Sequence, residues 1–170
     1  PGTRFMRRGG AIAKDAHGKN HHRRGTFGCH VETIELLRSD GRTYTCTRSA
    51  DPRLFAATIG GMGLTGLILS ATIRLMRVGS IDVIEEVSAF GSLDDYFDRA
   101  EAADLANEYA VAWIDQLARG GAAGRGLLLT GNHAPAGERA TARPAGRRRV
   151  PFQPPVNLLN RPVLTAFNAA

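Results

Sequence analysis

The sequence predicts an α+β fold in two parts, residues 1–79 and 80–170. Three observations carry that prediction. Two strand-like segments around a turn, a short helix and an apolar strand follow one another up to residue 78. Composition then shifts near Gly79, and strand and helix patterns alternate again to about residue 134. No period of the kind that marks a solenoid or propeller runs through the chain.

The elements follow in order. "TFGCHVETIELLRSDGRTYTCTRS" (26–49) reads as two strands around Ser39-Asp40-Gly41, where Asp-Gly supplies the positive φ angles of a tight hairpin. "ADPRLFAATIGGMG" (50–63) places Asp51 at an N-cap and Pro52 at the first helical position. Leu54, Phe55, Thr58 and Ile59 share one face of that helix, and Gly60-Gly61 ends it. "LTGLILSATIRLMRV" (64–78) is apolar and β-branched, the pattern of a buried strand.

Beyond residue 79, "SIDVIEEVSAF" (80–90) reads as a strand. "SLDDYFDRAEAADLANEY" (92–109) reads as a helix opened by Ser92, with acidic residues in its first turn. "YAVAWIDQL" (109–117) and "RGLLLTGNHA" (125–134) are further strands, separated by the flexible "ARGGAAGRG". Pro, Gly, Ala and Arg dominate 135–155, an irregular loop. "VNLLNRPVLTAFNA" (156–169) begins a helix that Pro162 interrupts.

Composition narrows the function classes. The 170 residues are 43% hydrophobic and 22% charged, enough for a globular core, with a net charge of +6. Much of that surplus lies in Arg7, Arg8, Arg23, Arg24 and Arg147 to Arg149. No aromatic residues interleave with these arginines, as a base-stacking surface requires, so no nucleic-acid partner is expected. The charge fits solvated loops, or a phosphate-bearing ligand. Two cysteines, Cys29 and Cys46, make no disulfide framework and have no metal-ligand spacing. No apolar run is long enough for a membrane span, and no signal peptide is evident. A cytoplasmic protein with at most peripheral membrane contact is expected. The start at Pro1 and the ending "LTAFNAA" read as those of a fragment.

The densest chemistry lies in "GGAIAKDAHGKNHH" (9–22). Small residues let a backbone approach something flat or bulky, and Asp15, His17, Lys19, Asn20, His21 and His22 crowd in behind them. Glycine-rich turns are often only turns. Neither Gly9-Gly10 nor Gly60-Gly61-x-Gly63 has the spacing of a dinucleotide fingerprint, and there is no phosphate-loop motif. His17 and His21 have a metal-like spacing, but Gly18 lies between them and no capped helix carries them, so no metal is expected. A lone histidine in such a segment is commonly structural, whereas the neighbouring Asp15, Lys19 and Asn20 favour a polar active-site wall. There is no serine elbow or activated cysteine, which disfavours hydrolase chemistry. Trp113, the single tryptophan, reads as a core residue or as a pocket wall.

Taken together, "PGTRF…GGAIAKDAHGKNHH…GTFGCHV" and "LFAATIGGMGLTGLILSATIRL" closely resemble the FAD-linked oxidases of the vanillyl-alcohol-oxidase type. "EYAVAWID…GRGLLLTGNHA" resembles the opening of that family's substrate domain more loosely. The resemblance implies the later part of a PCMH-type FAD-binding domain (1–79), then the start of a mainly antiparallel substrate domain (80–170). It implies FAD as cofactor, contacted by Gly2, Thr3, Gly9, Gly10, Lys14, Asp15, Ala16, His17 and Ile68. His17 and Lys19 become the catalytic candidates. Lys19, Asn20 and Trp113 become the sugar-pocket candidates.

The implied reaction is oxidation of a secondary alcohol on a sugar. The nearest branch acts on a polyprenylphosphoryl ribose at C2 in cell-wall arabinan synthesis, with a reductase partner completing an epimerisation. The rivals are a sugar-lactone or alditol oxidase on the same scaffold, and a non-catalytic basic binding module. Arg7 and Arg8 stand where the family commonly has a β-branched pair, and Lys14 where a small residue or cysteine is usual. The family's glycine-rich pyrophosphate loop precedes the position of Pro1, and its active-site lysine and tyrosine lie beyond the matched region. An internal piece of such an enzyme is therefore expected.

Overall fold

In the computed structural model, which describes residues 6–135, 157 and 160–169, the fold is α+β. The chain divides into two compact units, Pro1–Arg77 and Val78–Ala170.

The first unit is built around β1 (Val31–Leu37), the middle strand of a three-stranded sheet. β2 (Thr43–Thr47) and β3 (Leu67–Ile73) pair with it, both antiparallel. Ile34 and Leu36 point inward by the period of two. A register shift between Val31 and Thr33 resets that period, so Val31 is buried as well. Two short helices add to the same core: α1 (Arg8–Ala13) contributes Ile12, and α3 (Pro52–Thr58) contributes Phe55. With Cys46 these side chains form the buried cluster, flanked by Phe27, Leu54, Ile59, Ile68 and Ala71. Each such apolar side chain contributes about 1.5–3 kcal/mol by leaving water. A four-residue helix α2 (His21–Arg24) and a 3-10 turn (Phe27–His30) join α1 to the sheet.

Several local expectations change. The chain at 27–30 is a 3-10 turn and no strand, because both backbone polar groups of Gly28 are taken by side chains. The hairpin turn uses one left-handed residue, Gly41 (φ +75°), and Asp40 stays at negative φ. The Gly41 N–H donates to Arg38 O and the Arg38 N–H to Arg42 O, each at 3.0 Å, so the turn is wider than a two-residue loop. The Asp40 carboxylate is drawn instead to the Arg42 N–H (3.0 Å) and the Tyr44 hydroxyl (2.6 Å). Asp51 does precede α3, but its backbone is left-handed (φ +53°) and its side chain caps nothing. β3 is not buried: Ile68 and Ala71 face the core, while Leu67 and Leu69 are 63% and 51% exposed. Only one face of this strand meets apolar partners among the described residues.

In the second unit, β6 (Gly126–His133) lies between β4 (Val83–Phe90) and β5 (Tyr109–Ile114), antiparallel to both. Helix α4 (Leu93–Ala106) crosses from β4 to β5. It opens on a reciprocal cap: Ser92 Oγ accepts from the Asp95 N–H (3.2 Å), and Asp95 Oδ2 accepts from the Gly91 N–H (2.9 Å). Phe90 and Leu128 are the buried apolar residues here, and Phe90 packs on Tyr96 of α4. Val83, Val87, Leu127 and Trp113 remain partly exposed on one face of the sheet. α5 (Arg161–Ala169) starts where Pro162 was expected to break it. Proline is tolerated there because a first-turn N–H has no helical partner, and Asn160 Oδ1 accepts the Val163 N–H (3.1 Å). The loop expected at 135–155 lies outside the described residues from 136 onward.

Candidate functional site

The polar segment is an exposed shelf on the first unit. α1 begins at Arg8, so Gly9 and Gly10 occupy its first turn. Among the described residues, nothing outside the helix itself stands within 4 Å of where a Cβ would sit on either glycine. Across the same turn, Ala11 and Ile12 are buried. Among the described residues, the helix therefore holds the core with one side and carries no side-chain cover over Gly9 and Gly10 on the other. Lys14 closes it, exposed, and Asp15 reverses the chain in the left-handed region (φ +43°).

His17 and Lys19 then stand exposed, with Asn20 partly covered. The His17 and His21 rings meet edge to face, 5.1 Å between centroids, and His21 meets His22 at 6.2 Å. His21 Nδ1–H donates to Gly18 O (3.0 Å), which fixes that tautomer and holds the turn between them. Beside this shelf lies a pocket of about 200 Å³ walled by Ala16, Asn20, Arg24, Phe27, His30 and Arg74. None of its described lining residues is acidic. Among the described residues, no group of three or more His, Cys, Asp or Glu side chains is placed to hold a metal ion. Cys29 (exposed) and Cys46 (buried) are free thiols.

The other candidates fall in different places. Gly2 and Thr3 lie outside the described residues. The side chain of Ile68 packs against the core cluster from β3. The Asp15 carboxylate accepts the Gly28 N–H at 2.8 Å, so it already has a partner within the chain. Trp113 belongs to the second unit, on β5, and is 42% exposed. It walls a pocket of about 410 Å³ with Phe90, Leu127, Phe167 and Arg125. Trp113 is therefore not a core residue.

Two groups of interacting residues were not legible in the sequence. Arg48 Nη2 donates to Gly28 O (2.7 Å) from the end of β2, across 20 residues. The buried Asp115 joins the strand ends to α5. It accepts from Arg125 Nε (3.1 Å) and Nη2 (3.0 Å), from the Leu117 N–H (3.0 Å) and from Asn168 Nδ2 (2.7 Å). No spacing rule signals contacts that long in sequence.

The arrangement suits a flat, polar ligand. The first turn of α1 offers main chain without side-chain cover, which a ring system can approach closely, and hydrogen-bonding side chains stand a few residues on.

Compared with models of known protein families, the chain matches none. Among curated proteins it is 40% identical over 134 residues to the decaprenylphosphoryl-beta-D-ribose oxidase of Mycolicibacterium smegmatis, covering 78% of this chain and 29% of that protein. It is 44% identical over 135 residues to a Streptomyces coelicolor protein described as "Uncharacterized protein in mprA 5'region", covering 79% of this chain and 36% of that protein. The chain thus spans about a third of the length of these curated relatives. It is related by sequence to a ribose oxidase.

Proposed function

We propose that this chain supplies one side of the cofactor and substrate site of an FAD-dependent oxidase acting on a secondary alcohol of a sugar. The observation that carries this reading is the 40% identity to decaprenylphosphoryl-beta-D-ribose oxidase. The open glycine turn ahead of exposed His17 and Lys19 supports it. The substrate class is a polyprenylphosphoryl ribose oxidised at C2. In this reading 1–79 belongs to the FAD-binding domain and 80–170 opens the substrate domain. The site works in the cytoplasm and peripherally on the membrane, where a lipid-linked sugar resides, and a reductase partner completes the epimerisation. No helix among the described residues is long and apolar enough to cross a membrane.

The residues divide the work as follows. Gly9, Gly10 and the main chain of Lys14, Ala16 and His17 would hold the flavin. When bound, FAD supplies the acceptor for the hydride leaving the carbinol carbon. His17 orients the substrate hydroxyl and holds its proton through a ring nitrogen. The Lys19 ammonium stabilises negative charge developing on that oxygen and anchors the sugar. Asn20 on the first unit and Trp113 on the second are each candidates for contact with the sugar.

Anaerobic stopped-flow bleaching of the flavin tests this in the full-length protein loaded with FAD and given a polyprenylphosphoryl ribose. His17→Ala is expected to slow bleaching roughly 10²-fold or more, with FAD content little changed. Lys19→Ala is expected to raise the half-saturating substrate concentration more than it slows bleaching. Bleaching of His17→Ala at the wild-type rate, or no bleaching of the wild type, overturns the reading.

A further inference from the structure

Asp15 lies inside the cofactor-facing segment, yet its carboxylate points back into the protein. Oδ1 accepts the N–H of the buried Gly28 at 2.8 Å. The carbonyl of the same residue accepts Arg48 Nη2 at 2.7 Å. Arg48 in turn lies over the Phe55 ring, 5.3 Å from its centroid, and Phe55 is part of the buried core. Gly28 is thus gripped on both sides by charge-assisted hydrogen bonds, the stronger kind.

The grip depends on close approach. A Cβ on Gly28 would stand 2.8 Å from Asp15 Oδ1 and would overlap the Ile59 methyl. Around it, the Gly60 N–H donates to Ile12 O (3.0 Å), the Met62 N–H to Ala13 O (2.7 Å) and the Phe27 N–H to Ala16 O (2.9 Å). The end of α1 is therefore stitched to both the 3-10 turn and the loop after α3. The Asp15 side chain takes part in that stitching from the α1 side, two residues before His17.

We propose that Asp15 is a positioning residue: acting through Gly28 and Arg48, it ties the exposed His17–Asn20 stretch to the core and does not itself touch the cofactor. The role rests on the reading of His17 as a flavin-side residue. The tie itself is measurable without flavin.

Hydrogen–deuterium exchange of the full-length protein, free of FAD, reads the tie directly. In the wild type, the Gly28 amide is expected to be protected. In Asp15→Ala, peptides covering 16–20 and 26–30 are expected to exchange roughly tenfold faster or more. Asp15→Asn keeps an oxygen acceptor at the same place, and is expected to restore most of the protection.

The flavin-loaded protein supplies the second readout. Asp15→Ala is expected to leave the FAD Kd within about twofold while slowing flavin reduction by about tenfold, the pattern of a misplaced His17. Asp15→Asn is expected to recover that rate. Should Asp15→Ala fail to fold, Arg48→Gln loosens the same residue from its carbonyl side and is expected to speed exchange over the same two peptides. An unprotected Gly28 amide in the wild type overturns the proposal. So does exchange unchanged in the variants, or an FAD Kd weakened more than tenfold in Asp15→Ala. A wild type that is protected at Gly28 but takes up no flavin sinks the functional reading and leaves the tie standing.

Discussion

At the scale of single residues, the first unit depends on a few side chains that serve core and surface together. Phe55 is 2% exposed and carries Arg48 on its ring. Its truncation removes core volume and the platform for the guanidinium that holds Gly28. Phe55→Ala is expected to cost about 3–5 kcal/mol, the usual range for a buried aromatic. Urea unfolding of the full-length protein measures it, and a loss below 1 kcal/mol would show that Phe55 is not a core residue. Cys46 behaves as a small apolar residue: burial pushes its thiol above the ordinary value, so it stays protonated, and its S–H donates to Ile34 O at 3.6 Å.

At the scale of elements, Asp115 helps to hold α5, alongside the Arg125 Nη2 bond to Asn168 O (3.1 Å). Burial pushes the Asp115 pKa up, but the Leu117 N–H, the Arg125 guanidinium and the Asn168 amide together outweigh it and hold the carboxyl below its ordinary value. A carboxylate depressed in the folded state contributes stability that is present above the unfolded value, near 4 for an aspartate. That contribution is lost as pH falls through the lower, folded value. Docking of α5 is therefore expected to loosen below about pH 4. Trp113 reports it, since the single tryptophan walls the same pocket as Phe167 and Asn168. Its emission is expected to change across that acidic window in the wild type. In Asp115→Asn the change is expected to lose its pH dependence. An identical titration in both proteins would remove Asp115 from the account.

At the scale of the whole chain, apolar surface is the dominant fact. Leu64 and Leu75 are 91% and 84% exposed, and Leu67, Ile84, Phe97 and Leu105 are also largely uncovered. Water-exposed apolar area of this extent, with β3 at the edge of its sheet among the described residues, favours association. The 170-residue chain expressed alone is expected to self-associate despite its charge of +6. Light scattering after size exclusion measures this, and a clean monomer with a cooperative melt would count against it. The relatives are more than twice as long, so they contain additional chain available to cover such surfaces.

Periodicity and turn chemistry by themselves determined most of the elements. Ser92 announced α4, Pro52 started α3, and β4, β5 and β6 fall in segments that read as strands, because these signals act between residues close in sequence. The cluster around His17 was legible as well, since its residue types are contiguous and sit behind paired glycines. Only the tertiary structure decided the rest. Gly28 turned a predicted strand into a 3-10 turn because Asp15 and Arg48, 13 and 20 residues away, claim its backbone. β3 reads as buried from its composition, yet exposure depends on which strand it lies beside and what covers its second face. Asp115 likewise found its partners 10 and 53 residues on. Local patterns fix local backbone geometry. Long-range hydrogen bonds depend on loop closure and packing, and no short window of sequence contains both ends of them.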